Sequence, residues 1–166
     1  GRTSREDRNS LVLNDAVPVA VQTRRTCRAP EGPTSGHEVP CNGTEAILED
    51  KLAFYGERRD LLELMGNLLD NAFKYGRSRV RVRGGAVEPS RSRPGLWLCV
   101  EDDGPGIDEA QWSRLLQRGA RGDERVEGYG LGLAIVTELV AAYGGTVGIG
   151  RSELGGAEVR VSLPAT

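Results

Sequence analysis

The sequence predicts an α+β fold: a two-layer α/β sandwich with helices packed on one face of a mixed, mostly antiparallel sheet. Three observations point there. Residues 78–83, SRVRVR, alternate with a period of two, as a strand with one buried face does. Residues 59–75 place Leu61, Leu64, Met65, Leu68 and Ala72 at three- and four-residue spacings, as a helix with one apolar side does. Strands and helices then mix without the regular strand–helix–strand rhythm of a parallel sheet.

The chain has 166 residues, of which 38% are hydrophobic and 28% charged, enough for one soluble domain with its own core. A formal charge of −2 gives no basic field for nucleic acid or an anionic membrane. No apolar run is long enough to span a bilayer. Cys27, Cys41 and Cys99 lack metal-site spacing, and Cys99 lies in an apolar run where a buried inert thiol is expected; a reducing, cytoplasmic setting fits them.

The first fifty residues divide from the rest. Residues 1–50 read as an atypical, partly disordered or irregular segment, and residues 51–166 as the regular domain. Within the former, 11–26 has room for a short helix interrupted by Pro18, and 28–44 collects prolines, glycines and small polar residues as a loop does. Residues 52–57, LAFYGE, suggest a short strand, followed by the helix over 59–75. After SRVRVR, the stretch GGAVEPSRSRPG reads as turn-rich linker, and 96–102, LWLCVED, as an apolar strand. A short helix is expected over 108–117 with Asp108 near its start, then a mobile loop over 119–130. A helix over 131–145 closes on a glycine pair, and 146–150 and 157–163 form two strands joined by a glycine-containing turn.

Chemistry concentrates in three places. Asn67, Asn71 and Lys74 are spaced i, i+4, i+7 and share one stripe of the long helix, with Asp70 at its edge. Amide oxygens suit Mg²⁺ and a lysine suits phosphate, but the stripe alone reads equally as a solvated polar face. VEDDGPGID, 100–108, puts a carboxylate and close-approach glycines at a strand end, where it can accept from the exocyclic amine of a base; alone it is also an ordinary acidic turn. GYGLGLAIV, 128–136, opens a helix with alternating glycines, which leaves N–H groups and the positive helix end facing the preceding loop. It lacks the Lys-Ser/Thr ending of a P-loop and the strand–helix context of a dinucleotide fold. Together and in this order, the segments supply metal ligand, base reader, movable cover and phosphate cradle.

That order resembles the ATP-binding catalytic domain of bacterial sensor histidine kinases, in the Bergerat-type class that also holds gyrase, mismatch-repair and heat-shock chaperone ATPases. NLLDNAFKY (67–75) is similar to the family's asparagine box, EDDGPGI (101–107) to its first glycine box, GYGLGLAI (128–135) to its second, and LLQRGAR (115–121) to the segment between. With LGGAEVRV (154–161), the details are closest to PhoQ-type kinases, over residues 52 to 163. The resemblance implies ATP and Mg²⁺ as cofactors. Asn71 would ligate the metal with Asn67 beside it; Lys74 would reach phosphate oxygens and Tyr75 would pack near the nucleotide. Asp102 would accept from the adenine amine in a pocket shaped by Gly104, Gly106 and Ile107. Gly128, Gly130, Leu131, Gly132 and Leu133 would form the phosphate turn, with Arg118, Arg121 and Arg125 reaching phosphate from the lid. Asn67, Lys74 and Arg121 would serve catalysis directly.

By the same resemblance, the activity is transfer of the γ-phosphate to a histidine on a separate dimerisation domain, with a response regulator downstream. The parent protein would sit in the bacterial inner membrane, with this domain cytoplasmic. The sole histidine, His37, lacks the acidic neighbour and helical pattern of an acceptor, so this chain alone is not expected to autophosphorylate. Two rivals stand beside this: a scaffold that binds nucleotide without transfer, and a gyrase- or MutL-like hydrolase. The latter would place a glutamate base where Asn67 stands, and an amide cannot take a proton from water. Departures from the family pattern are Leu116 in place of phenylalanine, an Arg125 one position off, and Tyr129 where PhoQ-like chains carry glutamine. Residues 24–49 fit poorly the helix and strand with which the family opens.

Overall fold

A computed structural model describes residues 10–13, 26–28, 38–40, 43–87, 93–117 and 130–164. The strands are β1 (Ser10–Val12), β2 (Thr26–Arg28), β3 (Glu38–Pro40), β4 (Gly43–Leu48), β5 (Ala53–Tyr55), β6 (Arg79–Val87), β7 (Gly95–Asp102), β8 (Thr146–Arg151) and β9 (Ala157–Leu163). The helices are α1 (Arg58–Tyr75), α2 (Glu109–Gln117) and α3 (Gly130–Ala142). Five strands form one sheet in the order β4-β6-β7-β9-β8, with β4 parallel to β6 and every other pair antiparallel. The expected α+β sandwich is thus the observed one. β1 pairs with β5 and β2 with β3 in separate two-stranded ribbons.

The period-two pattern sorts the sheet into two faces. Val82, Val100, Val159 and Ile149 stand in one cross-strand row, and Leu98, Val161 and Val147 in the next. Against this face α1 buries Leu61, Leu64, Met65, Leu68, Leu69, Ala72 and Phe73, and α3 adds Leu133, Val136 and Val140. The opposite face is charged. Glu101 is fully buried there between Arg81 (2.8 Å) and Arg83 (2.9 Å), and Arg81 also pairs with Glu153 (2.9 Å). Burial pushes the Glu101 carboxyl upward, but the two guanidiniums outweigh it and hold it below the usual carboxylate range. Cys99, in the same cluster, is the inert thiol expected from its apolar run: burial pushes it up to about 11.

Two expectations from the sequence need correction. Gly84, Gly85, Ala86 and Val87 belong to β6 rather than to a linker. Gly85 faces Trp97, and a Cβ there would fall 2.5 Å from the indole nitrogen and from a Glu49 oxygen; a sequence cannot show that two glycines are the room left for cross-strand bulk. Secondly, β3 lies inside the segment read as loop, 28–44, and β4 begins within it at Gly43. β4, which precedes residue 51, pairs with β6 at the edge of the five-stranded sheet. As an edge strand with one neighbour, β4 keeps Glu45, Ala46 and Ile47 exposed and so carries no strong apolar signal. The expected helix over 11–26 and loop over 119–130 fall largely outside the described residues.

Tyr143, just past α3, fastens the two long helices together. Its hydroxyl donates to Asp60 (2.6 Å) and accepts from the Glu57 amide (3.1 Å), and its ring meets Phe54 edge-on at 5.3 Å. Glu57 caps α1 with no side-chain hydrogen bond of its own, so the tyrosine satisfies a helix-start donor from outside. Tyr143→Phe is expected to lower the free energy of unfolding by roughly 1–2 kcal/mol. Urea titration checks this; unchanged stability would mean that water replaces the hydroxyl without cost.

Candidate functional site

The stripe on α1 and the start of α3 meet. Asn67 donates its Nδ2 to the Glu63 carbonyl one turn back (2.8 Å), which turns its Oδ1 away from its own helix. That oxygen lies 3.3 Å from where a Cβ on Gly132 would stand, and both Asn71 amide atoms lie 3.4 Å from the same point. Two side-chain amides therefore converge on the third residue of α3, where a side chain would press on both of them. The Asn71 Nδ2 is buried and has no hydrogen-bond partner among the described residues. Such a group costs about 1–3 kcal/mol, and its persistence here fits a side chain held ready for a ligand. The N-terminal end of the α3 dipole adds positive potential beside it.

The second cluster gathers around Asp102 at the end of β7. Its side chain is buried, and the amides of Gly104 (2.8 Å) and Ala157 (3.2 Å) both donate to Oδ1. Those two bonds leave Oδ2 as the oxygen available to a ligand donor. Burial pushes the carboxyl up to about 6; the two amides oppose the rise and the neighbouring Asp103 adds to it. Asp103 is the contrasting case. It accepts from the Arg77, Ser78 and Arg79 amides and the Ser78 hydroxyl at 2.8–3.1 Å, and these outweigh its burial to hold it below the usual range. One carboxylate is consumed in tying β7 to the end of α1, and the other keeps one oxygen outside its backbone clamp. Gly106 (φ +80°) needs the left-handed region that glycine occupies freely, and Ile107 is buried beside it.

Helix α1 joins the two clusters. Asn67 and Asn71 face α3, while the Tyr75 carbonyl at the C-terminal end abuts Gly104 so closely that a Cβ there would lie 2.1 Å from it. Lys74 is exposed, with its ammonium 5.3 Å from the centre of the Tyr75 ring. Gly130 and Leu131 open α3, and the Leu133 side chain is in the core rather than at the surface, which leaves only its backbone for the nucleotide role expected of it. Arg118, Arg121, Arg125, Gly128 and Tyr129 lie outside the described residues.

Gly156 and Ala157 were not singled out in the sequence, yet they close the Asp102 cluster. The Gly156 amide donates to the Asp102 carbonyl (3.1 Å), and a Cβ on Gly156 would fall 2.1 Å from Asp102 Oδ1. The glycine pair 155–156 was the available signal, but a hairpin turn explains such a pair equally well.

Comparison with known proteins places the chain in a family. Residues 56–166 match the family model described as histidine kinase-, DNA gyrase B-, and HSP90-like ATPase. The chain is 46% identical over 108 residues to the sensor protein kinase CarS of Pseudomonas aeruginosa, which covers 65% of this chain and 23% of CarS. It is 46% identical over 105 residues to the two-component sensor PhoQ of the same organism, covering 63% of this chain and 22% of PhoQ. The chain thus spans less than a quarter of the length of these relatives. Among solved structures, the ATP binding domain of PrrB from Mycobacterium tuberculosis superposes with a TM-score of 0.69 at 22% identity, covering 97% of this chain and 99% of that one. With the family model spanning both clusters and most of the sheet, the chain belongs to the histidine kinase-, DNA gyrase B- and HSP90-like ATPase family.

Proposed function

We propose that this chain is the ATP-binding catalytic part of a two-component sensor histidine kinase, with residues 51–166 as its working unit and β4 as an added edge. It binds Mg-ATP and presents the γ-phosphate to a histidine on a separate dimerisation domain. The observation that carries this reading is the convergence of the Asn67 and Asn71 amides on Gly132 at the start of α3. Asp102 stands at the other end of the same helix with one carboxylate oxygen uncommitted to its backbone clamp.

The residues divide the work by chemistry. Asn71 and Asn67 offer neutral amide oxygens, a donor set that suits a hard cation, and would hold Mg²⁺, which would neutralise charge on the triphosphate. The N–H groups opening α3 receive phosphate oxygens, and Lys74 swings its exposed ammonium toward them as a point charge. Asp102 takes the exocyclic amine of adenine, which a guanine carbonyl at that place would not supply. Arg121, with Arg118, approaches the phosphates from the covering segment. Transfer then asks for alignment: a nitrogen of the acceptor histidine attacks the γ-phosphorus while the bond to the β-phosphate oxygen breaks and ADP leaves. Rapid hydrolysis is disfavoured because Asn67 is not a base, and its Nδ2 is already fastened to the Glu63 carbonyl. A response regulator would receive the phosphoryl group downstream, and an inner-membrane parent would carry the sensing parts.

Incubation with labelled ATP and a separate acceptor domain tests the whole reading. The acceptor histidine is expected to take label, with little phosphate released in its absence. Binding without transfer would favour a scaffold, and fast release a hydrolase. Asn71→Ala is expected to weaken Mg-ATP binding at least tenfold without lowering the free energy of unfolding, because the buried Nδ2 it removes makes no bond in the folded chain. Thermal melts with and without Mg-ATP decide; an equal ligand-induced shift in both proteins would contradict the assignment. The pH dependence follows from Asp102. Adenine donates to the ionised carboxylate, so binding releases the proton that burial retains up to about pH 6. Affinity should therefore rise as pH increases from 5 through 6 and level off by 7, on the scale of that pKa. Asp102→Asn should flatten the profile in calorimetric titration.

A further inference from the structure

On the charged face of the sheet, Glu101 looks away from the nucleotide cleft, yet a continuous set of contacts runs from it to Asp102 on the other face. The buried Ser152 hydroxyl lies 3.4 Å from Glu101 Oε1 and accepts from the Leu154 amide at 2.9 Å. The Ser152 amide donates to the Gly156 carbonyl (2.8 Å), and the Gly155 amide to the Ser152 carbonyl (3.0 Å). From the far side of that turn, Gly156 donates to the Asp102 carbonyl (3.1 Å) and Ala157 to Asp102 Oδ1 (3.2 Å). Arg81 adds a second tether by pairing with both Glu101 and Glu153 (2.8 and 2.9 Å). The turn is thus gripped at one end by the ion cluster and presses its other end on the base-reading carboxylate.

The fit at that end is tight. A Cβ at Gly156 would lie 2.1 Å from Asp102 Oδ1, 2.5 Å from the Gly104 nitrogen and 2.6 Å from the Asp102 carbonyl. Two of those three atoms are backbone, so small displacements of the turn pass to the carboxylate rather than being absorbed. Gly156 itself has no positive φ, which makes its demand for glycine steric.

We propose that Ser152 is a positioning residue for base recognition: held by Glu101, it sets the β8–β9 turn so that Ala157 clamps Asp102 Oδ1 and leaves Oδ2 aimed at the adenine amine. This rests on the base-reading role of Asp102. Neither Ser152 nor Glu101 touches nucleotide; both act through the turn.

Calorimetric titration of the full chain with ADP and with GDP tests it, in Ser152→Ala, Asp102→Ala and the double variant. Ser152→Ala is expected to lose roughly fivefold in ADP affinity, the scale of one hydrogen bond, with GDP affinity unchanged, so the ADP:GDP preference shrinks. The loss should vanish in the Asp102→Ala background, and the Ala157 amide resonance should move as its bond to the carboxylate weakens. A lowered melting temperature with the ADP:GDP preference and the Ala157 resonance intact would overturn the proposal, as would the same fivefold loss on top of Asp102→Ala. An Asp102→Ala chain that keeps the wild-type preference would place the failure in the base-reading role itself, and overturn both. Should Ser152→Ala not fold, Glu153→Ala, whose side chain is 74% exposed, cuts the Arg81 tether instead. It should shrink the preference in the same direction by about twofold, on the scale of a surface ion pair, and an unchanged preference would count against the turn.

Discussion

The contact of α1 with the first turn of α3 is the constraint on which the site depends. Seven side chains of α1 are committed to the core, so its orientation is set by apolar burial before any ligand arrives. That orientation leaves the asparagine stripe facing Gly132. A larger residue at 132 would meet both amides at once, and a rotated α1 would carry them away from the helix end. Core packing and ligand geometry are two consequences of one helix placement. The unpartnered Asn71 amide is a cost that the hydrophobic side of the same helix carries.

The two adjacent aspartates show how burial and hydrogen bonding divide similar groups between structure and chemistry. Asp103 receives four donors and is spent on fastening the loop after α1. Asp102 receives two, both on one oxygen, and stays poorly solvated. Their opposite pKa directions follow: four donors outweigh desolvation for Asp103, and two do not for Asp102. The carboxylate left uneasy is the one proposed to read the base.

The sheet's charged face is also more than a solvated surface. Glu101 and Glu158 stand opposite each other on β7 and β9, a like-charge pairing that would destabilise the sheet alone. Arg81 and Arg83 reverse that, and Arg83 also reaches Glu158 (3.5 Å). A buried carboxylate so compensated contributes little net stability but fixes geometry, here that of the turn behind Asp102.

Much of this was legible in the sequence. The alternation of SRVRVR, the three-and-four spacing of 59–75 and the apolar run of 96–102 identified the strands and helix that form the sandwich, because each pattern is repeated over enough residues to survive any tertiary setting. The order of asparagine stripe, Asp-Gly-Pro-Gly turn and glycine-led helix identified the candidate site and its family. What escaped were features whose signal is a single residue or a missing one: the glycines of β6 that make room for Leu98 and Trp97, the edge strand β4, and Gly156 behind Asp102. Local patterns report which face of an element is buried. They cannot report which atoms of two distant elements come within 3 Å, and only the tertiary structure decided that an asparagine pair meets Gly132, and a hairpin turn meets Asp102.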